Sequence, residues 1–142
     1  MKILGFNFTK ISAERFPGKT EDIKINTNID ISDIQEVKSE MFNDKEKLLG
    51  VKFINTINYD PNFAKIELGG TILLTFEEKE AKKILNDWKD KKLAEELRLA
   101  LFNLILKKSS IKSLQLEEEI NIPLHIPMPS LKEEVKKNNL KE

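Results

Sequence analysis

The sequence predicts an α+β domain: a four-stranded antiparallel sheet followed by a short helix, a long apolar helix and a proline-containing extended strap. Three observations predict it. Apolar and polar residues alternate at period two as far as Phe76, and from Ala81 onward the apolar period becomes helical. The segment Ile120-Asn-Ile-Pro-Leu-His-Ile-Pro-Met-Pro-Ser-Leu131 is strongly apolar yet carries Pro123, Pro127 and Pro129. Each proline fixes φ, removes a backbone donor and drives the preceding residue toward extended geometry, so this segment is a strap and not a helix.

The strands follow in order. Phe6 and Phe8 alternate with Asn7 and Thr9 in a first strand that runs toward Ile11 and stops near Pro17-Gly18. Ile23, Ile25, Ile29 and Ile31 occupy odd positions between polar neighbours, which makes a second strand with one buried face. Leu49, Val51, Phe53, Ile57 and Tyr59 continue the pattern, Asp60-Pro61-Asn62 supplies turn chemistry, and Ala64, Ile66, Leu68, Gly70, Ile72, Leu74 and Phe76 resume it, so these two strands form a hairpin. Gly69-Gly70 inside a strand points to a bulge or to close approach by another backbone. One face of the sheet is expected to be apolar throughout.

Ala81, Ile84, Leu85 and Trp88 lie at i, i+3, i+4 and i+7, a single stripe on a helix with Glu77, Glu78 and Glu80 at its start. After the charged linker Lys89 to Lys92, a second helix from Leu93 to Leu106 is apolar nearly all round. A sheet covers one side of it; the strap or a second chain must cover the other. Residues 1–131 read as one domain, and the mixed-charge stretch 132–142 as a tail, frayed helix or disordered.

Composition excludes several classes of function. With 24 basic and 24 acidic residues the formal net charge is zero, so no global field draws nucleic acid or anionic lipid. The absence of cysteine removes disulfides, thiolate nucleophiles and cysteine zinc sites, and fits a cytoplasmic protein. The N-terminal residues hold too few apolar positions for a signal core or a membrane span.

Candidate chemistry is sparse. His125 is the only histidine and reads as a packed or rim residue rather than a base. Glu117, Glu118 and Glu119 are consecutive and cannot share one helix face, so they read as a solvated charge run. Gly69-Gly70 lacks phosphate-loop spacing, and Asn7-Phe8-Thr9 matches a glycosylation acceptor only by accident. Trp88, on an apolar stripe, is core or part of a groove. No enzyme, no cofactor and no metal is expected.

The order of these elements resembles the SecB-like chaperones of the general secretion route and of chaperone-controlled toxin–antitoxin systems. Thr9-Lys10-Ile11-Ser12-Ala13-Glu14 is similar to the family's opening strand, Lys24 to Ile31 to its second, and Ile66-Glu67-Leu68-Gly69-Gly70-Thr71-Ile72 to its fourth with the paired glycines. Ile120 to Leu131 resembles its proline-containing loop. The resemblance implies an ATP-independent holdase that keeps unfolded polypeptides from aggregating or export-competent, assembled as a homodimer or a homotetramer (a dimer of dimers), with clients in extended apolar grooves. Such a groove would take Phe6, Phe8, Ile84, Leu85, Trp88, Ile122, Leu124, Ile126 and Met128, with the first helix as a lid; Leu97, Ala100, Leu101 and Leu104 would form the oligomer interface. In the secretion chaperones acidic residues on the sheet dock the SecA motor. Glu14 matches one of them, whereas Lys65 stands where another acid is expected, so docking to SecA is expected to be weak. An oligomeric scaffold that binds no unfolded chains, and a binder of apolar small molecules, remain as alternatives.

Overall fold

The computed structural model of the chain describes residues 1–18, 21–40 and 45–131. Four long strands, β1 (Lys2–Arg15), β2 (Lys24–Val37), β3 (Glu46–Asp60) and β4 (Ala64–Glu77), are followed by α1 (Glu78–Trp88) and α2 (Glu95–Glu119). The sheet order is β1-β4-β3-β2 and every pair is antiparallel, which leaves β1 and β2 as edges. The expected α+β class and the β3–β4 hairpin are both present.

The strands run further than the alternation suggested. β2 continues past Ile31 because its register shifts between Ile31 and Asp33, which returns Ile34 to the covered face opposite Val51. A second shift lies in β1 between Phe8 and Lys10, opposite Gly70 and Gly69. The glycine pair therefore faces a bulge on its neighbour, and the reason is steric. A Cβ at Gly70 would fall inside contact of the Asn7 carbonyl oxygen and 2.9 Å from Phe53 Cζ, whereas one at Gly69 would meet nothing closer than 3.6 Å. The space left at Gly70 admits the Phe53 ring, which packs on Phe6 at 5.0 Å and edge-on to Phe8 at 6.2 Å between centroids.

The second helix corrects the sequence expectation. It does not end at Leu106 but runs 25 residues to Glu119, about 37 Å at 1.5 Å per residue. Its buried row is Leu101, Ile105, Ser109, Ser113 and Glu117, a strict i, i+4 series. Beyond Ile105 that row is polar, which is why apolar periodicity lost the helix there. Each step of four residues advances the row about 40° around the axis, so the buried line winds around the helix.

Helices cover one face of the sheet: α1 packs on β2, β3 and β4, and α2 on β3 and β2. Two apolar clusters result. One gathers Ile31, Ile34, Leu49, Val51, Phe53, Ile72, Leu74 and Phe76 beneath Ala81, Ile84, Leu101 and Ile105. The other joins Ile57, Tyr59, Phe63, Ala64, Ile66 and Leu68 to Ile122, with Leu116 and Ile120 against it. The covered face is not apolar throughout, since Asn55 is buried in the middle of β3. Among the described residues Asn55 Oδ1, Ser109 Oγ and Ser113 Oγ have no hydrogen-bond partner. The stretch 132–142 lies outside the described residues.

Candidate functional site

No group of three or more metal-ligating side chains occurs among the described residues, and no described helix is long and apolar enough to cross a membrane. The surface features with functional content are apolar, and they lie on three elements.

The first is a cleft of about 440 Å³ where α1 passes into α2 beside the edge strand β2, lined by Asp30, Ile31, Ser32, Trp88, Lys91, Leu93, Arg98 and Phe102. The α1 stripe builds it. Ala81 and Ile84 are buried on the sheet, Leu85 and Trp88 pack at the border of the core, and Trp88 forms a wall with its indole Nε1 buried and without a hydrogen-bond partner among the described residues. Each aromatic wall carries a cation: Lys91 Nζ sits 4.6 Å from the Trp88 ring centre and the Arg98 guanidinium 5.7 Å from that of Phe102.

The second is the inner face of edge strand β1, which the helices leave partly open. Phe6 and Phe8 are half-buried there, and Ile3 and Ile11 are exposed. The third is the strap. It leaves α2 through Asn121, whose positive φ of 55° turns the chain, and whose carbonyl accepts a hydrogen bond from Arg15 at 3.1 Å. Ile122 then plugs the second apolar cluster, while Leu124, Ile126 and Met128 are exposed.

Polar contacts beside Ile122 hold the strap. The Glu117 carboxylate, fully buried, accepts from the His125 backbone N–H at 3.1 Å and lies 2.7 Å from Nδ1 of the His125 side chain, which is 4% exposed. The Tyr59 hydroxyl, from β3, faces two acceptors with one proton: Glu117 Oε2 at 2.9 Å and the Pro123 carbonyl at 2.6 Å. Burial foremost, then the hydrogen bond and charge of Glu117, raise the Tyr59 phenol well above its ordinary value, so it remains a donor.

Three sequence expectations need correction here. Glu117 is not part of a solvated charge run: of the three glutamates only Glu118 and Glu119 are exposed, because Glu117 alone falls on the buried i, i+4 row. Leu101, assigned to an oligomer interface, is 1% exposed and faces the chain's own sheet. Leu97, Ala100 and Leu104 are half-buried, with Leu97 and Leu104 against the same cluster. The apolar residues that α2 turns outward are Leu99, Leu106 and Ile111; the first two are among those that make the helix apolar nearly all round in the sequence, and Ile111 lies beyond the end expected for it. The residues assigned to one groove also separate. Trp88 and Leu85 border the first cluster and Ile122 sits in the second, with Phe8 touching both; Ile84 is sealed inside. Extending the i, i+4 row from Leu101 would have reached Glu117; nothing in the sequence pairs it with Tyr59, 58 residues away.

On the outer sheet face, which also carries the exposed Val37 and Ile54, charges alternate along the β1–β4 seam. Lys10 pairs with Glu67 and, by that hydrogen bond first, holds its carboxyl below the usual range; Glu14 lies opposite Lys65 in the β1–β4 register. Neither acid stands without a lysine beside it.

No protein-family model and no curated protein matches this sequence. Among solved structures, the chain is similar to the Mycobacterium tuberculosis Rv1957 SecB-like chaperone, solved in complex with a ChAD peptide from the Rv1956 HigA1 antitoxin. The TM-score is 0.51 at 10% sequence identity, over 92% of this chain and 90% of the other. The four-stranded antiparallel sheet followed by two helices is thus the fold of a SecB-like chaperone.

Proposed function

We propose that this chain is an ATP-independent holdase that binds non-native polypeptides on apolar surface and keeps them from aggregating. The observation that carries the reading is the apolar side chains which the fold leaves uncovered around a SecB-like frame: Leu124, Ile126 and Met128 on a strap anchored at its base, Ile3 and Ile11 on the open side of β1, and the aromatic cleft at Trp88. A chain that binds unfolded segments and not native ones slows aggregation by mass action, without chemistry. The free edges β1 and β2 offer backbone hydrogen bonds to an extended client, and the thioether of Met128 adapts to varied side chains.

The protein acts in the cytoplasm as a homo-oligomer, with Leu99, Leu106 and Ile111 on the outward side of α2 as its apolar contact surface. The paired charges of the outer sheet face favour clients or an antitoxin over docking to an export motor. The direct test is aggregation of a chemically denatured protein on dilution, with this protein at stoichiometric ratio and no nucleotide. Suppression that persists with chelator present supports the reading; no suppression at several-fold excess rejects it. One observation favours a second reading: the cleft walled by Trp88 and Phe102 is large enough for a small apolar ligand, which would compete with clients for Trp88.

A further inference from the structure

We propose that Glu117 is the positioning residue of the client-binding strap: it fixes, through His125, the direction in which Ile126 to Leu131 leaves the body. The proposal rests on the holdase reading and assigns a role to a buried group which that reading does not use. Among the described residues, the hydrogen bonds of the strap from Ile122 to Leu131 all run to Glu117 or Tyr59. Pro123, Pro127 and Pro129 have no N–H, so the strap has few other means of attachment. The Glu117 backbone carbonyl takes the Ile122 N–H at 3.1 Å, its carboxylate takes the His125 N–H and faces the imidazole, and Tyr59 ties the Pro123 carbonyl from the sheet. Past His125 the ties end, and exposure climbs from 39% at Ile126 to 55% at Met128 and 81% at Leu131.

The placement is costly for an anion, which is the reason to assign it a role. Glu117 has no exposed surface, occupies the last turn of α2 where the carbonyl ends of the helix disfavour negative charge, and is followed by Glu118 and Glu119. An apolar residue at the end of the Leu101–Ile105 row would fill the same place without that cost, and buried ionic groups commonly add little stability over apolar replacements. What an apolar side chain cannot do is bind a backbone N–H and an imidazole at once and so select one direction for the strap. Holding Ile126 and Met128 in that direction spares a client the ordering of the strap on binding.

The experiment is a double-mutant cycle with permanently unfolded, reduced and carboxymethylated lactalbumin as the client. Its arms are wild type, Glu117→Gln, the strap pair Ile126→Ser with Met128→Ser, and all three changes together. Tyr59→Phe serves as a second, milder release of the strap, and limited chymotrypsin digestion reports cleavage within residues 124–131 in every variant. We expect Glu117→Gln to speed strap cleavage about fivefold and weaken client binding about tenfold, and to weaken it no further once the strap serines are present. Tyr59→Phe should shift both readouts in the same direction by less. Unchanged strap cleavage in Glu117→Gln overturns the proposal, and so does an affinity loss that simply adds to that of the serines, since a purely structural defect would act in both backgrounds. A wild-type protein that does not bind the client, with Glu117→Gln still freeing the strap, is a different failure, that of the holdase reading, and the positioning role falls with it.

Discussion

Gly70→Ala is expected to destabilise the protein by about 3 kcal/mol, whereas Gly69→Ala should be close to neutral, although the two glycines are adjacent and both buried in β4. The difference comes from what each new methyl would meet. At Gly70 it lies inside contact of the Asn7 carbonyl oxygen and 2.9 Å from Phe53 Cζ. Asn7 belongs to β1, hydrogen-bonded to β4, so relief requires parting the two strands or turning the Phe53 ring away from Phe6 and Phe8. Overpacking of this kind costs roughly 1–3 kcal/mol, and one weakened ladder hydrogen bond adds about 1 kcal/mol. At Gly69 the nearest atoms, Lys10 Cβ and the Phe53 carbonyl oxygen, are both 3.6 Å away, which is ordinary contact. Neither glycine has positive φ, so alanine meets no backbone strain, and at Gly69 the reduced freedom of the unfolded chain contributes about 0.4–1 kcal/mol in favour of the fold. Urea denaturation followed by circular dichroism at matched protein concentration measures both, and thermal melts should separate the variants by about 10 °C. A loss below about 1 kcal/mol in Gly70→Ala, or equal losses in the two variants, would refute the steric account of the glycine pair.

Leu101→Ala removes a side chain sealed between α2 and the sheet and should cost about 3 kcal/mol in denaturation, while Leu99→Ser combined with Leu106→Ser should leave the fold intact and reduce the mass seen by light scattering. An unchanged mass in the double variant removes that side of α2 from the interface. The folded-state pKa of Tyr59 lies above its ordinary 10.0, so its contribution to stability is complete below that pH and declines above it, as the unfolded phenol ionises while the folded one resists. Wild type should therefore lose more stability than Tyr59→Phe between about pH 9 and pH 11, and parallel losses would contradict the buried-phenol geometry. Emission from Trp88, the only tryptophan, should shift or quench saturably on adding an unfolded polypeptide and stay constant with a folded one; silence toward both would take the cleft out of client binding.

The sequence by itself determined the parts whose signal is local. Isoleucines at odd positions in 23–31 can bury one side only as a strand, the prolines after Ile120 forbid a helix, and Ala81, Ile84, Leu85 and Trp88 share a helix face at any tertiary arrangement. The paired glycines announced a close approach, and the structure named the atoms, Asn7 and Phe53. Tertiary structure decided whatever depends on a partner distant in sequence. The bulges after Phe8 and Ile31 exist because strands must stay in register with neighbours, a constraint that alternation within one strand does not carry. The second half of α2 escaped notice because its buried side is Ser109, Ser113 and Glu117, and periodicity registers only apolar burial. Glu117 looked solvated beside Glu118 and Glu119 for the same reason: a carboxylate can be buried only where donors meet it, and those donors come from β3 and from a strap that the fold carries back to the end of the helix.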